Sequence, residues 1–408
     1  METDNVLLDE SQAAVLSKPE SVADISKWFL WRKHDVNFYS IGSRDVDKYL
    51  TATEDDTEII MYAIGLMDGT RTEEEISRMI YNKFGKHLDI TLLVKKMKTT
   101  GLLEGGYKDT SELGMFSKKI ISYKFSVFSI LKKKIINYVY NIWLIISFVA
   151  ILAALLTLIF NFNECRAFFS TSFTYKDSYF LGAVLTTVAS IINIMLHELS
   201  HMAASVKCGL QPSEFNMNLY GGFKLIWMVK IKGMYTVPRK HRIMVMSAGI
   251  LTNLVLISIV ITVCVLFHVN SVAAELMSKI MINNIFMLYS CCMPFNISDG
   301  YFIFSQLSKY PNMRTKMFRL MGGRKKDFNI WVLLYSIISV GMIIYGFVLS
   351  GKWGVNISIE FYDRVISSTN IAWFAFIAAA VPVIFVAWLN FVFVIKLIKL
   401  IKANMTAG

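Results

Sequence analysis

The chain has 408 residues, 55% of them hydrophobic, with a mean hydropathy of +0.49. Few water-soluble folds tolerate that composition, whereas a helical protein that crosses a membrane several times requires it. The net charge of +12 comes from lysines and arginines beside apolar runs, as expected of loops kept on the cytoplasmic side and not of a nucleic-acid binder.

Residues 1–23 read as a mobile tail. Met1-Glu2-Thr3-Asp4-Asn5 is acidic with no apolar core behind it, so it is no secretory signal, and the N-terminal region is expected in the cytosol. Residues 28–41 are aromatic and β-branched and favour strands. Three helical patterns follow. Ile59, Ile60, Ala63, Ile64 and Met67 share one face; Thr72 to Glu75 forms a capping box before Ile76, Met79 and Ile80; Asp89 can cap a third helix that stops at Gly101. Strands plus three helices make a small α+β domain of winged-helix type over 24–110.

Leu66-Met67-Asp68-Gly69-Thr70-Arg71-Thr72, Glu75-Ile76 and the ending Lys98-Thr99-Thr100-Gly101-Leu102-Leu103 resemble the small peptide-binding domain of the pyrroloquinoline-quinone pathway. That domain, the recognition element of ribosomal peptide maturation, accepts a leader peptide as an added strand. The resemblance implies a precursor-peptide partner, and with it a peptide-modifying enzyme or an exporter. A winged helix used for packing, dimerisation or DNA binding is the alternative, with Lys95, Lys96 and Lys98 few for a DNA reader.

Residues 111–136 carry Lys118, Lys119, Lys124, Lys132, Lys133 and Lys134 and read as a basic amphipathic connector on an anionic leaflet, or as a solvated linker. The membrane domain spans 137–400, with apolar runs near 137–160, 179–206, 242–267, 276–295, 329–350 and 371–397, followed by a tail over 401–408. Each run is long enough to cross ~30 Å of hydrocarbon. Basic residues concentrate between the second and third runs and between the fourth and fifth, which places both termini in the cytosol. The fold class is therefore mainly α, a six-span helical membrane protein with a cytosolic winged-helix domain. The cysteines (Cys165, Cys208, Cys264, Cys291, Cys292) are odd in number and lack metal-ligand spacing, so free thiols are expected.

Within the second run lies His197-Glu198-Leu199-Ser200-His201. HExxH on a helix sets two imidazoles one turn apart, able to hold zinc, with the glutamate beside a metal-bound water. Hydrogen-bonded core histidines are the bland reading, but ionisable groups at that depth are costly and kept mainly for function. A catalytic zinc takes three protein ligands. Asp299, after Pro294 and before Gly300, arrives near the same leaflet on the fourth run; a helix cap is its alternative role. The segment around Tyr220-Gly221-Gly222 alternates polar and apolar about a glycine turn and reads as a hairpin, or else as a flexible connector.

His197-Glu198-Leu199-Ser200-His201 together with Pro294, Asp299-Gly300 and Tyr301-Phe302 resembles the site-2-protease group of intramembrane zinc metallopeptidases, especially the bacterial multi-span peptide zinc metalloproteases. Arg242, Ser247-Ala248-Gly249 and Asn253 fit the same pattern, whereas Cys291 and Ser298 depart from it. The resemblance implies that His197, His201 and Asp299 bind one zinc ion and that Glu198 is the general base of a peptide-bond hydrolase. Asn253 is a candidate for the oxyanion or the substrate backbone, or an inter-helical hydrogen bond. Tyr220, Gly221 and Gly222 are candidates for substrate contact along a hairpin edge. The expected activity is cleavage of a small precursor peptide near the cytosolic leaflet. The competing functions are a peptide-binding export or immunity protein with a structural or lost metal site, and a protease of a membrane-anchored transcription inhibitor.

Overall fold

The computed structural model describes residues 18–21, 25–33, 36–44, 46–103, 117–123, 133–170, 175, 179–220, 224–268, 271–292, 298–308, 313–321, 329–346 and 348, with single positions at 384, 388, 391, 395 and 398. It is mostly helical, with two small antiparallel sheets.

The first sheet is formed by β1 (Ile25–Lys33), β2 (Val36–Ser43) and β3 (Lys48–Thr53), paired in that order. Three helices follow: α1 (Glu54–Leu66), α2 (Glu73–Phe84) and α3 (Ile90–Thr100). Their starts are chemically marked. Thr53 caps α1, Thr72 and Glu75 form the reciprocal capping box of α2, and Asp89 accepts from the Leu92 amide at 2.8 Å to cap α3. Ile41, Ala63, Ile64, Ile76, Ile80, Met97 and Leu102 from all these layers close one apolar core. The expected tail is shorter than 1–23, because Ser21 donates to the Met67 carbonyl at 2.8 Å and Gly69 to that of Pro19 at 3.1 Å. Residues 19–21 are thus tied to Met67 and Gly69.

Beyond the N-terminal unit, β4 (Ser117–Tyr123), β5 (Gln211–Tyr220) and β6 (Lys224–Lys232) form the second sheet in that order. The hairpin expected around 215–232 is present. Residues 117–123, expected in an amphipathic connector, are instead an outer strand zipped to β5 from Ser117–Tyr220 to Tyr123–Phe215.

The helical part comprises α4 (Lys133–Phe160), α5 (Phe162–Ser170), α6 (Tyr179–Lys207), α7 (Arg239–Leu266), α8 (Ser271–Cys292), α9 (Asp299–Ser308), α10 (Met313–Met321) and α11 (Ile330–Gly346). Helix α7 is its hub and packs against α4, α6, α8 and α9. Among the described residues, Lys134–Phe160 and Arg239–Leu266 are long and apolar enough to cross a membrane. The expected span over 371–397 falls almost wholly outside the described residues. None of the five cysteines forms a disulfide.

Candidate metal centre

Helix α6 presents one stripe inward. Asn193, His197, His201 and Ser205, each four residues apart, are all buried, whereas Val188, Ile191, Leu196 and Leu199 face outward. That spacing brings the two imidazoles onto one face, as the HExxH pattern requires. Helix α9 begins at Asp299 and points its carboxylate at the same place. The Nε2 atoms of His197 and His201 lie 3.2 Å apart, and Asp299 Oδ2 is 3.1 Å from the first and 3.3 Å from the second. The Ser298 hydroxyl donates to the Cys291 carbonyl at 2.8 Å, fastening the start of α9 to the end of α8. The two positions that depart from the protease pattern are therefore joined to each other.

The outer nitrogens of the rings decide what the inner ones can do. His201 Nδ1 is 2.7 Å from the Val245 carbonyl and His197 Nδ1 is 3.3 Å from Asn253 Oδ1, both on α7. Those oxygens only accept, so each ring in its neutral form keeps its proton on Nδ1 and turns an Nε2 lone pair toward the centre. Two lone pairs and a carboxylate oxygen then converge with no donor among them. One added proton relieves one edge of that triangle; a divalent cation at its centre relieves all three. Tetrahedral zinc with bonds of about 2.0–2.1 Å sets its ligand atoms about 3.3–3.4 Å apart, and edges of 3.1, 3.2 and 3.3 Å come within a few tenths of an ångström of that. The donor set fits zinc.

Space is equally specific. A Cβ on Gly249 of α7 would lie 2.5 Å from the Nε2 atoms of both rings, so only glycine lets this helix back the site so closely. Glu198 is buried beside the rings but outside the ligand cluster. Its Oε2 accepts from the Val229 amide of β6 at 2.8 Å, which makes the second sheet a wall of the site.

The structure thus brings together His197, His201, Asp299 and Glu198. Asn253 is fully buried behind the His197 ring, on the side away from the donor cluster, where it bridges α6 and α7 and orients the imidazole. Tyr220 ends β5, five residues beyond the Phe215–Val229 pair, or about 17 Å along the strand; it belongs to the hairpin tip and not to the wall at Glu198. Gly221 and Gly222 lie outside the described residues, as does Pro294. Sequence reasoning missed Val229 and Val245, which act through backbone atoms and carry no side-chain signal. Gly249 figured only as part of a small-residue pattern. Across its length the chain matches no protein-family model, no curated protein and no solved structure.

Proposed function

We propose that this chain is a membrane-embedded zinc endopeptidase of the site-2-protease type that cleaves a small, ribosomally made precursor peptide near the cytosolic leaflet. Six spans with both termini in the cytosol, and a winged-helix domain at the N-terminus that holds the precursor's leader, complete the proposal. One observation carries it: two imidazole lone pairs and a carboxylate oxygen closing a triangle of 3.1–3.3 Å with a fourth ionisable group, Glu198, beside it and uncommitted to the cluster. A purely structural site would use a fourth protein ligand; three ligands with an adjacent base is the catalytic pattern.

His197, His201 and Asp299 would hold the ion, which when bound polarises a carbonyl and makes water acidic enough to attack at neutral pH. Glu198 accepts the proton of the attacking water and passes it to the leaving nitrogen. The Val229 amide keeps that carboxylate in place between the rings and the sheet. Because this amide points out of β6 and away from β5, β6 is an edge, and an unwound peptide can pair along it beside Glu198. Asn253 and the Val245 carbonyl hold the rings as neutral ligands throughout.

The test is Glu198→Gln in the full chain, with bound metal and the peptides of the producing cell both measured. The expected result is unchanged zinc with a truncated peptide found only in cells carrying the parent protein. Zinc retained together with the same truncated peptide in the variant would remove Glu198 from its role.

A further inference from the structure

The segment 233–242 joins the two elements that touch the candidate site. On one side it continues β6, whose Val229 amide holds Glu198. On the other it enters α7, whose Val245 carbonyl, Gly249 and Asn253 contact the histidine rings. The N-terminal unit grips this junction at four points. Asp47 Oδ1 accepts from the Gly233 amide at 2.9 Å, Arg44 donates to the Thr236 hydroxyl at 2.6 Å, and the Tyr49 and Tyr235 rings lie 5.7 Å apart. Arg242, only 2% exposed, donates to the carbonyl of Leu30 in β1 at 3.0 Å. Gly233 takes a left-handed backbone, φ 83°, which lets the chain turn from β6 into the gripped segment.

Arg242, Val245, Gly249 and Asn253 are spaced by three, seven and eleven residues from the first, so they line one face of α7. Arg242 stands about 10 Å along the axis from Gly249 and cannot touch the donor cluster itself. Its effect passes through the helix. Gly249 leaves so little room behind the rings that a sub-ångström shift of α7 changes where both imidazoles point, and catalytic constellations tolerate misplacements of only about 0.5 Å.

We propose that the N-terminal unit positions the metal site, in addition to any peptide it holds, by clamping the β6–α7 junction, with Arg242 as the positioning residue. The inference rests on the zinc reading of the donor cluster. A domain that served only as a tether for a leader would leave the metal environment unchanged when its grip on 233–242 is cut.

Cobalt(II) takes the zinc donor set and reports its geometry by visible absorption, so the full-length protein is titrated with cobalt in detergent micelles. Five forms are compared: parent, His197→Ala, Arg242→Ala, Arg242→Lys and Asp47→Gly. The last removes the acceptor for Gly233 while tolerating the left-handed backbone at that position, φ 58°, and leaves α7 untouched. The expected outcome is about tenfold weaker cobalt binding with altered visible bands in Arg242→Ala and Asp47→Gly, and partial recovery in Arg242→Lys. Parent-like affinity and bands in Asp47→Gly, or in a folded Arg242→Ala, would overturn the positioning role while leaving the zinc reading intact. A parent protein that takes up no cobalt, or whose uptake survives His197→Ala, would defeat the zinc reading and the inference with it.

Discussion

The N-terminal unit and the helical region differ in how many polar groups they bury beside their apolar cores. Between the first sheet and α1 to α3 the interior is chiefly Ile41, Ala63, Ile76, Met97 and Leu102, with Glu73 buried beside it and accepting from the Thr91 hydroxyl at 2.9 Å. In the helical region the interior holds Asn193, His197, His201, Asn253, Lys279 and Asn284 beside apolar clusters such as Met317 with Phe318 and Val260 with Met281, while Phe148 and Ile159 of α4 are 71% and 70% exposed. The first pattern is what water imposes. The second is expected of helices bathed in hydrocarbon, where apolar surface gains nothing by burial and polar groups must find each other. The difference teaches where each region's specificity resides: in side-chain volume for the first, in hydrogen-bonded and ligand geometry for the second.

The largest expected effect breaks that geometry directly. Gly249→Ala places a methyl group 2.5 Å from both ring nitrogens, so the purified variant is expected to retain no zinc by elemental analysis and to process no peptide. The N-terminal unit should answer instead to volume. Ile76→Ala opens a cavity at a fully buried position and is expected to cost about 2–5 kcal/mol, read as a lowered midpoint for unfolding of that unit. Asn193→Ala removes the 3.0 Å bond to Asn283 on α8. Inter-helical hydrogen bonds of this kind contribute about 0.6 kcal/mol on average and about 1.7 at most. Helix packing should therefore survive, with a small loss in resistance to denaturing detergent. A cost for Asn193→Ala as large as that of Ile76→Ala would erase the contrast between the two regions.

Local signals were legible in the residues and distant ones were not. The capping box of Thr72 and Glu75, the cap at Asp89, the α6 stripe and the hairpin all follow from spacings within a few residues. Asp299 is reachable because the fourth run is expected to bring it to the same leaflet as the histidines, between Pro294 and Gly300. The strand over 117–123 reads as a connector in sequence because Lys118 and Lys119 dominate the local pattern. Lysines are also what protects an edge strand from unwanted pairing, and β4 lies at the edge of its sheet. The Val229 amide and Val245 carbonyl were invisible for another reason: every residue but proline offers a backbone donor, and only the fold says which one is aimed at the site. The contacts from Leu30, Arg44 and Asp47 to 233–242 span about two hundred residues of sequence, beyond any periodicity.

The smallest expected effect separates two aspartates. Asp299 is wedged against two imidazoles, whereas Asp68 sits in the exposed turn before α2, receives the Thr70 amide at 3.0 Å and pairs with Arg71. The Thr70 hydroxyl, then the Thr70 amide, and with them Arg71, hold the Asp68 carboxyl down to about 2. A carboxylate whose folded pKa is depressed stabilises the fold above its unfolded value of about 3.9, and that contribution disappears as pH falls through the folded value. The turn should therefore loosen between about pH 4 and pH 2, seen as faster amide exchange at Thr70. Asp68→Ala should exchange fast at every pH and lose this dependence, shifting the unfolding midpoint of the N-terminal unit less than Ile76→Ala does. Solvent screens an exposed ion pair so well that its contribution is slight, and a pH step at Thr70 that persisted in Asp68→Ala would assign the titration to another group.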